Sequence, residues 1–300
     1  MIRVASPPVR PAWKAALALM RPHHYVKNVF VFAPLFFAAQ FADPSLLFRA
    51  AEGFLAFCFT ASAVYVFNDL KDIERDRSHP KKRFRPLASG EVSKPMAWVI
   101  LAALLVGGLG LGFAINYATG IILAAYLAIN FAYNLILKHV SILELAIVSL
   151  GYNIRLMVGS AVTGVPLSMW VIVMTFLLAL FLTLAKRRDD VLIYERTGNA
   201  MRPVVSTYNS PFINASMLVM AAVLLVAYTL YTISTDVVQR LGTPYLYLTV
   251  FFVILGVLRY FQVTFVEERS GDPTKIALTD PFLQVTLLGW IASFAWILYV

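Results

Sequence analysis

The sequence predicts an all-α, polytopic membrane protein of about nine transmembrane helices, and three observations carry that reading. Of 300 residues, 60% are hydrophobic and only 14% charged, an apolar share well above that of a soluble domain. Apolar runs approaching the ~20 residues that a membrane helix needs recur along the whole chain. None of them alternates with period two, which argues against a transmembrane β-barrel. Length alone would suggest about two soluble domains, but a single transmembrane domain over residues 1–300 suits this composition better.

The elements follow in order. The opening stretch, MIRVASPPVRPAWKAALALMRPHHYVKN, has a short apolar run broken by Lys14 and Arg21 and no small-residue cleavage site. It reads as an interfacial amphipathic lead-in and not as a removed signal peptide. Spans are expected at roughly 26–43, 46–67, 95–115, 117–137, 141–163, 168–185, 211–234, 242–264 and 281–300. Cys58, the single cysteine, lies inside the second run and cannot form an internal disulfide. Long connections are expected at 68–94 and 186–210, and such loops are where chemistry is carried. Both follow an even-numbered span, and both open with mixed acids and bases, NDLKDIERD and KRRDD. The pattern suits a weak duplication of a four-helix unit, its two loops facing one another across a shared mouth.

Placing the N-terminus inside puts 22 of the 25 Lys and Arg residues on the cytoplasmic side, leaving Arg49 and Arg240 opposite and Arg155 within a span. The positive-inside rule therefore orients the chain and its loops. The net charge of +9 is then a property of the cytoplasmic face, suited to anionic lipids or phosphorylated substrates. Nucleic acid is not an expected partner, because the bases cap helices and no recognition module carries them.

Asp69, Asp72 and Asp76 are spaced i, i+3, i+7, so they form one stripe if the second span continues for two turns past Phe67. At a helix C-terminus the macrodipole disfavours each carboxylate by about 0.3–1 kcal/mol, and the three repel one another. Something positive must offset this. An open, oxygen-rich site of few ligands suits Mg²⁺, which fills its octahedron with water and phosphate oxygens. The structural alternative pairs the same acids with Lys71, Arg75, Arg77 and Lys81 on a solvated helix end.

Lys81, Lys82, Arg83 and Arg85 follow at once, bracketed by Pro80 and Pro86 so that they cannot simply prolong the helix. Arginine suits bidentate phosphate contact and lysine a point-charge contact, which makes a donor-phosphate cradle compete with a topological run touching lipid headgroups. In the second loop Lys186, Arg187 and Arg188 stand beside Asp189 and Asp190. The cations suit phosphate and either aspartate suits metal or ribose hydroxyls, although cations at a helix end also complement its dipole. Lys138 and His139 stand between the fourth and fifth expected spans. Arg155, some 14 residues or roughly 21 Å into the fifth, needs a partner in apolar surroundings; Asn153, Asn130 and Tyr126 are candidates, for a structural network or a polar cavity. His23, His24 and His79 lack a second ligand at metal spacing.

Asn68-Asp69-x-x-Asp72-x-x-x-Asp76 resembles the first aspartate-rich motif, NDxxDxxxD, of the UbiA superfamily of intramembrane prenyltransferases, and the span count agrees over essentially the whole chain. RPHHYVKN at 21–28, RSHPKKRFRPLASG at 77–90, YNLILKH at 133–139 and AKRRDD at 185–190 resemble the branch that moves phosphoribose from phosphoribosyl diphosphate to a polyprenyl phosphate, the decaprenyl-phosphate phosphoribosyltransferases. The resemblance implies a UbiA-like bundle and Mg²⁺ on Asp69, Asp72 and Asp76. It also implies substrate contacts from Asn68, Lys82, Arg83, Arg85, Lys138, Lys186, Arg187, Arg188, Asp189 and Asp190. The second loop departs from the superfamily's usual DxxxD, and one acidic cluster with a basic counterpart fits two phosphate-bearing substrates better than an isoprenyl diphosphate and a neutral aromatic.

The implied reaction is substitution at the anomeric carbon of ribose by a lipid phosphate in the inner membrane, releasing diphosphate and serving cell-envelope arabinan or other lipid-linked sugars. Two rivals stand beside it. A UbiA-type prenyltransferase would consume an isoprenyl diphosphate, and a lipid transporter would show no turnover. The sequence leaves acceptor chain length and any homo-oligomer open.

Overall fold

A computed structural model describes residues 10–78, 82–198, 202 and 204–299, and within them every regular element is helical. In chain order these are α1 (Ala12–Met20), a 3-10 segment (Pro22–Phe32), α2 (Ala33–Phe37), α3 (Pro44–Lys71), α4 (Ile73–Ser78), α5 (Lys94–Ile115), α6 (Tyr117–Leu135) and α7 (Leu143–Thr163). There follow α8 (Met169–Thr197), α9 (Ser210–Ile233), α10 (Thr235–Leu241), α11 (Val250–Phe261), α12 (Pro273–Thr279) and α13 (Pro281–Tyr299). A 3-10 turn, Tyr245–Thr249, leads into α11, and a π turn, Gln262–Val266, extends it. Eight helices among the described residues are long and apolar enough to cross a membrane, so the chain is a polytopic all-α membrane protein.

The starts are written in local chemistry. Asp43, Ser93 and Asn209 each precede a helix with proline in its first turn, and each side chain accepts a backbone N–H of that turn. Such caps satisfy donors that a helix leaves orphaned, and proline there forfeits no bond.

Two expectations are corrected. The span expected at 26–43 is not a continuous helix but the 3-10 segment followed by the five-residue α2. Pro34 explains the break, since its ring would clash with the preceding turn of a longer helix but is tolerated in the first turn of α2. The sixth span does not end at 185. It runs as α8 to Thr197, where Gly198 adopts φ 70° and its N–H closes on the Tyr194 carbonyl. KRRDD therefore lies in mid-helix, too far from the terminus for the macrodipole to matter.

The chain divides into two compact units, one of Met1–Leu35, Asp43–Asn134 and Ile154–Val165, the other of Phe36–Ala42, Leu135–Asn153 and Pro166–Val300. The first packs Leu19, Phe57, Val64, Leu101, Leu123 and Val158 into its core. In it α5 lies against α3 at Gly108, where an added Cβ would stand 2.5 Å from the Thr60 hydroxyl. The second unit is built around Phe181, Leu184, Ile213, Met217, Tyr260 and Val263.

Gly159 of α7 faces the backbone carbonyl of Val31, where any side chain would collide with main chain and not with a movable rotamer. Gly159→Val is therefore expected to destabilise the protein by about 1–3 kcal/mol, the usual range for overpacking. Thermal unfolding in detergent reads this directly, and an unchanged midpoint would show that the segment is not seated there.

Candidate functional site

The first cluster forms where α3 ends. α3 stops at Lys71, and Asp72 caps it with φ −97° and ψ 13° before α4 begins at Ile73. The helix is therefore interrupted at Asp72 and does not run on unbroken for two turns past Phe67. Asp69 and Asp76 are both 2% exposed and both accept from Nη1 of Arg85, at 3.1 and 2.6 Å. Asp72 is half-buried, and its backbone bridges the break, donating to the Asn68 carbonyl and accepting from the Asp76 N–H. Asn68 is half-buried beside it.

A second arginine completes the cluster. Arg21 Nη2 donates to Asp69 Oδ1 at 2.5 Å, with its guanidinium 5.1 Å from the Tyr65 ring centre. Arg21 adopts φ 55°, ψ 57° between α1 and the 3-10 segment, a left-handed conformation costly for a residue with a Cβ. Oδ1 of Asp69 thus receives two guanidinium donors. Oδ2 is buried with no hydrogen-bond partner among the described residues.

Among the described residues no three His, Cys, Asp or Glu side chains form a metal-holding group. Mg²⁺ does not need one, because one or two carboxylates with water and substrate phosphate suffice. Asp69, with a buried acceptor lacking a donor, and Asp76 beside it match that donor set. Of the basic hook, Arg85 is committed to the carboxylates, Arg83 is exposed and lies over the Phe84 ring, and Lys82 is half-buried in a short 3-10 turn. His79, Pro80 and Lys81 fall outside the described residues.

The second cluster is built on α8. Arg187, 3% exposed, donates Nε and Nη2 to the two carboxylate oxygens of Glu144 at 2.8 and 2.6 Å, and Nη1 to Asp190 at 2.6 Å. Arg202 adds Nε to the same Asp190 oxygen at 2.8 Å. Arg188 donates to the Asn214 side chain and to the Thr264 carbonyl within the π turn, with Phe265 against its guanidinium. Both arginines are thus held by protein groups, while Lys186 is exposed at the helix surface. Asp189 packs closely on Gly271, where a Cβ would approach its Oδ2 to 2.5 Å. Lys138 sits half-buried in the 3-10 turn Leu137–His139.

Sequence reasoning missed Arg21, Glu144 and Arg202. Glu144 carried a signal, since an acid in an apolar span needs a partner. Arg21 carried one only through the RPHHYVKN resemblance, because nothing in its spacing points to Asp69. Arg155 also finds an unforeseen partner: Nε donates to Asn28 Oδ1 at 2.9 Å, with Phe57 and Tyr126 around the guanidinium.

Comparison with known proteins adds to this geometry. Residues 28–298 match the model of the UbiA prenyltransferase family. The decaprenyl-phosphate phosphoribosyltransferase of Mycolicibacterium smegmatis is 32% identical over 93% of this chain and 91% of its own length. That of Mycobacterium tuberculosis strain H37Rv is 33% identical, with 91% of each chain covered. A UbiA homolog from Archaeoglobus fulgidus, solved with GPP and Mg²⁺, superposes with a TM-score of 0.71 over 95% of this chain and all of its own, at 19% identity. It bears on the fold alone.

Glu144→Gln leaves a buried guanidinium short of one charge partner. Breaking such a pair costs about 3–5 kcal/mol; the retained Asp190 places the expected loss at the lower end. The midpoint of denaturation in detergent measures it, and a change within ~0.5 kcal/mol, typical of a surface site, would show that the pair is dispensable.

Proposed function

The chain belongs to the UbiA prenyltransferase family, and on that premise we propose that it transfers 5-phosphoribose from phosphoribosyl diphosphate to a polyprenyl phosphate, with Mg²⁺ held by Asp69 and Asp76. The observation that carries this is the pairing of carboxylates and guanidiniums at Asp69, Asp76, Arg85 and Arg21, beside relatives named for this reaction at 32–33% identity over nearly their whole length. The site faces the cytoplasm in this reading, with the N-terminus inside, as the distribution of Lys and Arg favours.

The bond from the anomeric carbon to the diphosphate oxygen breaks, the electron pair leaving with diphosphate, and a bond to an acceptor phosphate oxygen forms. No base is required, because the acceptor is already an anion. When bound, Mg²⁺ supplies positive charge against the departing diphosphate. The chain's own residues supply the rest. Arg85 holds Asp69 and Asp76 side by side, and Arg21 fixes Asp69 through Oδ1 so that Oδ2 stays free to coordinate. Asp72 and Asn68 complete the motif at the break between α3 and α4. Lys82, Arg83 and Lys138 offer charge to substrate phosphates, as does Lys186. Arg187 and Arg188 act by keeping α8 in place, and Asp190 is held between Arg187 and Arg202. Asp189 is the candidate for a ribose hydroxyl. Holding two phosphates near one carbon is chiefly work against their repulsion, and preorganised charge does it.

A two-donor assay in detergent tests the reading. Phosphoribosyl diphosphate should be consumed with polyprenyl phosphate and Mg²⁺, whereas turnover of an isoprenyl diphosphate with an aromatic acid instead would overturn it. Asp69→Asn should lower kcat by at least about 100-fold, the loss typical of removing a preorganised electrostatic group, with retention of the folded detergent-solubilised form as the control. Wild-type turnover would remove Asp69 from the site.

A further inference from the structure

Arg155 lies 12 residues into α7 and is 5% exposed, a charge in apolar surroundings that must be retained for something. Its hydrogen-bond partner Asn28 belongs to one segment, the 3-10 run after Arg21. Nε donates to Asn28 Oδ1, and Asn28, 1% exposed, passes its Nδ2–H to the Cys58 sulfur at 3.1 Å. Asn28 is thereby clasped between α7 and α3. Towards the start of the same segment, Tyr25 shares a hydrogen bond with Ser62, and the Ser62 hydroxyl donates to the Met20 carbonyl. Gly159, one turn beyond Arg155, lets the Val31 carbonyl approach. The segment so held, Pro22–Phe32, begins directly after Arg21, whose strained φ of 55° aims its guanidinium at Asp69.

We propose that Arg155 is a positioning residue for the metal-binding carboxylate. Through Asn28 it fixes the 3-10 segment, the fixed segment holds Arg21 in its left-handed conformation, and Arg21 joins Arg85 on Oδ1 of Asp69 so that Oδ2 alone is presented. This rests on the proposed function for its kinetic arm but not for its structural one. A 3-10 run of eleven residues is unusually long and has few internal resources of its own. A charge-assisted hydrogen bond at its middle is what an arginine supplies and an apolar residue could not.

The chain carries its own reporter, because Cys58 is its one cysteine, is buried and accepts from Asn28. In the full-length detergent-solubilised protein, N-ethylmaleimide should label Cys58 slowly. Arg155→Met should speed labelling by roughly tenfold or more, the equivalent of losing a hydrogen bond to a charged group, and Arg155→Lys by less. Wild-type labelling in Arg155→Met would sink the proposal whatever the reaction proves to be. The kinetic arm is a double-mutant cycle with Arg21→Met, read as kcat/KM for phosphoribosyl diphosphate at fixed folded fraction. Arg155→Met should reduce kcat/KM in the wild-type background by tenfold or more, and by less than about twofold once Arg21 is replaced. Additive losses, or an Arg21→Met variant with wild-type kinetics, would make Arg155 a stability residue and overturn the proposal. Should Arg155→Met fail to fold, Asn28→Ala removes the same clasp without leaving Arg155 short of its aromatic neighbours, and the same outcomes decide. Absence of phosphoribosyl transfer by the unaltered protein would defeat the functional reading, while the labelling arm would still test the seat.

Discussion

Arg85 accepts the burden of two carboxylates at once, and much of the first unit is arranged around that bridge. Asp69 and Asp76 are seven residues apart and would repel one another in a setting from which water is largely excluded. A single guanidinium donating to both turns their repulsion into convergence. Asp72 interrupts the helix between them, and both carboxylates still meet the one guanidinium. Arg85 reaches them from the turn beyond, anchored by its backbone N–H on the Lys82 carbonyl and by its own carbonyl on Ser89.

The same rule governs the second unit, where it produces a different outcome. Arg187 spends donors from all three of its nitrogens on Glu144 and Asp190, and Arg188 spends its own on Asn214 and the π turn. Buried arginines of this kind are expensive to desolvate and become rigid once paired. Their value lies in fixing helices and neighbouring acids, while Lys186 beside them is more exposed. A mid-helix position strengthens the point, since cations there gain nothing from the helix terminus.

Hydropathy made most of the fold legible, because composition and run length determine which segments can cross a membrane. All eight membrane-length helices among the described residues begin within about three residues of their expected starts, aided by cap residues such as Asp43, Ser93 and Asn209. What escaped was the interruption itself: Pro34 within an apolar run does not announce a long 3-10 segment, whose stability comes from α3 and α7. The site was legible in part for the same reason. Asp69, Asp76 and Arg85 are near in sequence and converge. Glu144 with Arg187 and Arg155 with Asn28 are separated by 43 and 127 residues, and only packing brings such pairs together. The expected unbroken helix ends at Asp72, where no proline or glycine marks the break.

The length of α8 has a further consequence. Met169 to Asp189 is 21 residues of unbroken helix, about 30 Å at 1.5 Å per residue step, and the hydrocarbon core is about 30 Å thick. A helix entering the apolar slab at Met169 leaves it within a turn of Asp189, so the rod measures out the depth at which its charges meet lipid headgroups. On the proposed function, a polyprenyl phosphate is sorted by the same ruler, its chain confined to the slab and its phosphate to the boundary. The bilayer thereby reduces the search for an acceptor from three dimensions to two before any residue touches it.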